Sequence, residues 1–267
     1  MHVGWSELYW QRLTPLHAIL WPLSILLELS FKVKRAAYRN GLFTTTRYPI
    51  PLIIVDSITV NSIEKSALTV WLVNFLSVNG LRPAVISCSY PDRYQESPIE
   101  VTTASDKTQV GDTALFLAFH CSKYNCPVWI GQDSSKVGLD LLKANPDRNV
   151  LIYDGGLHDY RLHRDLEILA LDTDKYYFGN GFTLPAGPLR DNLTRLNFAD
   201  AVVLNEKNRQ SFDQVDSSKI YYVKTNSSEF INLYHTSDHL KKITTTDQKS
   251  YAIASNRFSR RFFDQLS

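Results

Sequence analysis

Apolar positions along this chain follow two spacings, and each predicts a different element. Short continuous runs at Leu52–Val55, Pro83–Ser87, Pro127–Ile130, Asn149–Asp154, Glu167–Asp172 and Ala201–Asn205 have the length and composition of strands buried on both faces. Tyr221–Val223 and Tyr251–Ala254 read as later strands. A 3.6-residue spacing at Leu68, Trp71, Leu72, Phe75 and Leu76 predicts a helix, and Ala114–Phe119, Val137–Ala144 and Arg257–Leu266 predict further helices. Tyr90–Thr108, polar and carrying Pro91 and Pro98, reads as an irregular excursion, and Tyr176–Arg190 as a long loop rich in glycine and proline. Strands alternating with helices predict an α/β fold with a doubly wound parallel sheet, whose ligands collect at the carboxyl ends of the strands.

The N-terminal region departs from this alternation. Thr14–Leu27 is uncharged and interrupted by Pro15 and Pro22, with Trp5, Trp10 and Trp21 nearby and Lys32, Lys34, Arg35 and Arg39 following. The run is shorter than the roughly 20 apolar residues of a bilayer span. It also lacks the basic start and small-residue cleavage site of a signal peptide. Tryptophan and apolar surface beside basic residues fit a helix lying in a membrane interface, and they fit equally a helix packed on the globular body.

Composition narrows the picture in two respects. A net charge of +2 across 267 residues is too mild for a nucleic-acid binder, and no obligate protein partner is implied. Cys88, Cys121 and Cys126 are odd in number and carry no paired spacing, so they are read as reduced thiols rather than zinc ligands or a disulfide framework.

The candidate chemistry lies between Tyr48 and Leu76. A strand enters a polar loop, Asn61-Ser62-Ile63-Glu64, which ends in Lys65-Ser66 and opens a helix. Strand, loop, Lys-Ser and helix are the parts of a phosphate cradle, in which the lysine reaches phosphate oxygens and the hydroxyl a Mg²⁺ ion. Asp154, closing an apolar strand, is the natural metal-side partner of that cradle. Asp112 begins a predicted helix and can serve either as its N-cap or in catalysis. His158 and His163, beside Asp159, read as polar surface histidines.

Together these segments resemble the tetraacyldisaccharide 4'-kinase family. The resemblance rests on Trp21-Pro22-Leu23-Ser24, Tyr38–Gly41, Ile58-Thr59-Val60 with Lys65-Ser66, Val85-Ile86-Ser87, Val110-Gly111-Asp112 and Asp154 with Gly156-Leu157. It rests most specifically on Arg164–Ile168 and on Gly179-Asn180-Gly181-Phe182 followed by Leu184–Arg190, and it extends to Arg260–Phe263. It implies a P-loop-type kinase of two lobes with an N-terminal interfacial membrane helix, divided as 1–40, 41–160 and 161–267. By the same resemblance, Asn61, Ser62, Ile63, Glu64, Lys65 and Ser66 would hold ATP, and Ser66 and Asp154 the Mg²⁺. Asp112 and Asp154 would be catalytic, and Asn180 and Arg190 would face the substrate. The implied reaction is ATP-dependent phosphorylation of the 4'-hydroxyl of a lipid A disaccharide precursor, at the cytoplasmic face of the bacterial inner membrane.

The chain departs from the family pattern at its chemistry. Glu64 stands where the loop has glycine, Gly155 where it has a second aspartate, His158-Asp159 where it has Gln-His, and Cys88-Ser89-Tyr90 where it has Arg-Gly-Tyr. The sequence also stops before the family's Asp-His-His motif. Glu64 either meets phosphate or caps an empty helix N-terminus. The alternative function is therefore a catalytically impaired member, or a truncated product, that keeps the fold and its lipid or membrane binding.

Overall fold

A computed structural model describes Trp10 and residues 14–60, 64–87, 97–171, 178–205 and 216–224. The expected strand Tyr251–Ala254, helix Arg257–Leu266, phosphate-loop residues Asn61, Ser62 and Ile63, and Cys88 lie outside the described residues.

The apolar runs form one sheet: β1 (Leu52–Asp56), β2 (Pro83–Ser87), β3 (Ile99–Val101), β4 (Val128–Ile130), β5 (Val150–Asp154), β6 (Leu166–Leu171), β7 (Ala201–Asn205) and β8 (Ile220–Val223). Their order is β3-β4-β2-β5-β1-β6-β7-β8. The chain enters at β1, winds outward to β2 and β4, returns through β5 and then crosses to β6, β7 and β8. Every pairing is parallel except β3 with β4. That edge strand falls inside the stretch expected to be irregular. Three residues, only Val101 of them buried, leave too little alternation to be read from sequence. Strand β6, beyond residue 160, pairs directly with β1.

Period-two alternation divides the core. Ile53, Val55, Val85 and Ile152 face one layer, and Leu52, Ile54, Ile86 and Leu151 the other. Helices α2 (Glu64–Val78) and α4 (Asp112–Cys121) cover the first face, with the short α3 (Lys107–Val110) leading into α4. Helix α5 (Ser134–Ala144) covers the second. In α2 the buried face is Leu68, Leu72, Val73 and Leu76. Trp71 and Phe75 are half exposed and stack on each other with ring centroids 5.3 Å apart, while Val73 and Thr69 of the same helix are fully buried. Cys121 and Cys126 are buried free thiols, and hydrogen bonding to Cys121 together with burial pushes the Cys126 thiol well up.

Helix α1 (Pro15–Arg39) is 25 residues long, well beyond the uncharged run that announces it. Proline occupies its first position, and the Thr14 amide donates to His17 Nδ1 at 2.8 Å. By length and composition alone it could cross a membrane, which the 14-residue reading of the sequence did not allow. Ser24, Glu28, Phe31, Arg35 and Tyr38 form one stripe and touch the body. Away from that stripe Ile19, Leu23, Leu26 and Val33 are exposed. The packed-helix reading therefore holds for a single stripe, and most of the apolar surface of α1 is uncovered.

Candidate active site

Alternation along β5 places Asp154 on the face that α2 covers, level with Val55 on one neighbouring strand and Ser87 on the other. Its carboxylate is fully buried (0 % exposed). The first turns of α2 supply its partners. Ser66 Oγ donates at 3.1 Å, Thr69 Oγ1 donates at 3.1 Å, and Lys65 Nζ lies 3.7 Å away. Burial holds the Asp154 acid above its ordinary range even though Lys65 and the two hydroxyls pull it down; the negative charge of nearby Asp56 adds to the rise. Lys65, Ser66 and Asp154, which the sequence suggests as parts of one cradle, thus meet at one point. Thr69 was not foreseen. A hydroxyl four residues after Lys65, inward-facing in an apolar helix, was the available signal. Glu64 is the first residue of α2, and its side chain lies outside the described residues.

Asp56 is a second fully buried carboxylate, one strand away. It closes β1 on the same alternation as Leu52 and Ile54, so it points to the opposite face from Asp154. Its Oδ1 accepts from the Ser57 amide at 2.7 Å and from Arg190 Nη1 at 2.8 Å, and its Oδ2 from the Leu157 amide at 2.8 Å. Sequence reasoning passed over it, because a strand-ending aspartate usually forms a turn.

The loop that carries Arg190 lies along the chain leading into the phosphate loop. The Arg190 amide donates to Ile58 O at 2.6 Å and the Val60 amide to Pro188 O at 3.2 Å. Asn180 is used within this loop: its Nδ2 donates to Ala186 O at 2.8 Å, and its Oδ1 accepts from the Phe182 amide at 3.1 Å. Asp112 is not among the contacts of Asp154. It starts α4 behind the N-cap Gly111, is 74 % exposed, and pairs with Lys107 at 3.0 Å.

His158 is not the surface histidine the sequence suggested. Its ring stacks on Phe31 of α1 at 3.9 Å between centroids, and Nε2 is 3.1 Å from Asp191. Burial raises the Asp191 acid, but the hydrogen bond and charge of His158, the Asn192 amide and the Arg195 charge together outweigh it and hold the group below its ordinary range. Residues three to five positions past a strand end turn back across the loop, and no local pattern announces the stack on a helix far away in sequence. His163 is the more open of the two, with its Nδ1 3.7 Å from Asp165. Behind Asp191, Arg195 and Arg164 both bond the buried Glu167, at 2.6 and 2.7 Å, tying the far end of the loop to β6.

Two glycines with positive φ, Gly155 at 115° and Gly156 at 82°, turn the chain out of β5 directly after Asp154. At Gly156 a Cβ would also collide with the Tyr153 ring, so the turn is closed to any larger residue.

This arrangement has counterparts among known proteins. A family model described as tetraacyldisaccharide-1-P 4'-kinase matches residues 16–267. The tetraacyldisaccharide 4'-kinase of Nitrosomonas europaea is 40% identical over 264 residues, 99% of this chain and 66% of that protein. The protein of the same name from Coxiella burnetii is 36% identical over 258 residues, 97% of this chain and 72% of that one. A crystal structure of the Aquifex aeolicus kinase LpxK in complex with ATP superposes with a TM-score of 0.66 at 26% identity, covering 78% of this chain and 64% of that one. The chain spans about two thirds of the length of the Nitrosomonas relative. With a family model matched from residue 16 onward, the chain belongs to the tetraacyldisaccharide-1-P 4'-kinase family.

Proposed function

We propose that the chain acts in ATP-dependent phosphorylation of the 4'-hydroxyl of a lipid A disaccharide precursor at the cytoplasmic face of the inner membrane. The observation that carries this reading is the meeting of Lys65, Ser66 and Asp154 where α2 begins beside the end of β5. A helix N-terminus presents amide donors to an anion, and the lysine adds a point charge for phosphate oxygens. The donor set fits Mg²⁺, a hard ion commonly held by one or two protein oxygens together with substrate phosphates. Ser66 and Asp154 would hold it, and when bound it neutralises phosphate charge. The residues' own work is positioning: Lys65 orients phosphate, Thr69 fixes the Asp154 carboxylate, and Arg190 sits on the substrate side. Asp112, open to solvent at the head of α4, is assigned to the acceptor hydroxyl and Asn180 to the shape of the substrate loop.

The membrane assignment rests on the uncovered apolar surface of α1 and the exposed Lys32, Lys34 and Arg39 beside it. A second reading, an impaired member that keeps lipid binding, is favoured by Glu64 at the head of α2 and by Gly155 where a second acid is absent. Phosphate transfer from labelled ATP to a tetraacyl disaccharide separates the two. Turnover that Lys65→Ala abolishes supports the kinase; no turnover together with no thermal shift on adding Mg·ATP supports the impaired member. Flotation with anionic liposomes, lost on deleting residues 1–31, tests the membrane helix, and undiminished flotation would refute it.

A further inference from the structure

Glu28 is the sole Asp, Glu, Lys or Arg between Thr14 and Phe31. On a largely exposed helix a carboxylate can turn to water at no cost, yet the Glu28 side chain is only 20% exposed. Its Oε1 accepts from Thr183 Oγ1 at 2.9 Å, and its Oε2 from Asn192 Nδ2 at 3.3 Å. One turn earlier the buried Ser24 hydroxyl donates to Thr183 O at 2.9 Å and accepts from the Ala186 amide at 3.1 Å. Thr183 and Asn192 are the two ends of the segment that carries Arg190. The inner side of that segment is fixed separately, by the Arg190 amide on Ile58 O and the guanidinium on Asp56. The segment is thus held between α1 and the chain that feeds the phosphate loop.

We infer that Glu28 is a positioning residue, stapling both ends of the 183–192 segment to α1 and thereby setting where Arg190 stands. The helix offered to the lipid surface and the arginine offered to the substrate then share one joint. The importance of this joint for turnover rests on the kinase reading above; its existence does not. Glutamine can keep both contacts, because the Thr183 hydroxyl can accept from its amide while its oxygen accepts from Asn192. Alanine keeps neither.

The test is amide hydrogen exchange by mass spectrometry on the full chain, comparing Glu28→Ala with Glu28→Gln. The expected result is exchange about tenfold faster across 183–192 in the alanine variant, with β1 and β5 unchanged and the glutamine variant close to the parent. In the phosphotransfer assay, alanine lowers kcat about tenfold at unchanged KM for ATP, and glutamine restores it. Unchanged exchange at 183–192 in Glu28→Ala overturns the proposal, as does a glutamine variant as fast as alanine. If Glu28→Ala does not fold, Thr183→Val removes the hydroxyl that Glu28 accepts from and reads the same joint, with the same faster exchange expected and unchanged exchange overturning it. A parent chain with no turnover but a tenfold exchange difference sinks the kinase reading and leaves the staple standing.

Discussion

Lys65 Nζ lies 3.7 Å from the Asp154 carboxylate, so the cation we assign to phosphate and the acid we assign to metal face each other across the end of β5. The pair has no exit to water on the acid's side, since Asp154 is completely buried. Burial wins over the lysine, and the acid is held above its ordinary value. A cation bound beside Asp154 would favour its charged form, whereas a phosphate anion near Lys65 would not.

That poise has a measurable sign. With the folded acid raised above 3.8, the folded state binds the proton more readily than the unfolded chain. The contribution of Asp154 to stability is therefore full below 3.8 and is lost as pH rises through the folded value. Asp154→Asn keeps an oxygen for Ser66 and Thr69 and removes the charge. Urea denaturation at pH 7 should show this variant as stable as the parent or more so, while isothermal titration with Mg·ATP loses its signal. A variant clearly less stable at pH 7 would contradict the argument.

Asp56 and Arg190 make the opposite case, because here the buried acid is fully bonded. Asp56→Ala leaves the Ser57 and Leu157 amides without their acceptor and Arg190 with only Ser57 O at 3.5 Å, at a cost of about 3 kcal/mol by chemical denaturation. Arg190→Ala should cost less stability, about 1 kcal/mol, because the arginine is nearly one third exposed and its pairing is partly screened. In the phosphotransfer assay the order reverses, with Arg190→Ala the worse variant. Equal stability losses would show that the pair, rather than the acid, holds the strand end.

Glu64 tests what the loop has lost. A carboxylate about 5 Å from a phosphate charge, at an effective dielectric near 20, disfavours binding by about 3 kcal/mol. Glu64→Gly should therefore tighten Mg·ATP roughly a hundredfold by titration calorimetry. It should also cost the empty protein about 0.5 kcal/mol, because an acid at a helix N-terminus is favourable. Unaltered affinity would place the obstacle elsewhere in the loop.

Gly138, on α5, tests the scaffold alone. Tyr48 passes directly beneath it, its hydroxyl donating to Ser134 O at 2.7 Å, and a Cβ at 138 would overlap the phenol. Gly138→Ala should destabilise the chain by about 2 kcal/mol, measured by thermal denaturation, without altering nucleotide affinity. Tyr48→Phe in the same background should recover part of the loss, because the ring without its hydroxyl can shift away.

Strands β1, β2 and β5 are legible in the sequence because each is a short apolar run buried throughout, and the doubly wound class follows from the alternation of strands with helices. Lys65, Ser66 and Asp154 were legible because their chemistry is tied to positions at element ends. What escaped has a common physical cause. Asp56, Thr69 and the His158 stack on Phe31 depend on which residue lies across a gap, and local pattern does not carry that information. Helical spacing at Trp71 and Phe75 gives a stripe but not which part of it is buried, and in α2 both rings stand half exposed. Asn180 was picked out by an unusual motif, whose rarity reflects the closure of the loop on itself.

The turn after Asp154 also limits what a substitution beside that acid can do. The backbone at Gly155 has φ of 115°, a region that residues with a side chain rarely adopt. At Gly156 φ is 82°, and an added Cβ would meet the Tyr153 ring. A second carboxylate introduced at Gly155 would therefore bring backbone strain along with its charge, so the geometry of the turn and the number of acids beside Asp154 are set together.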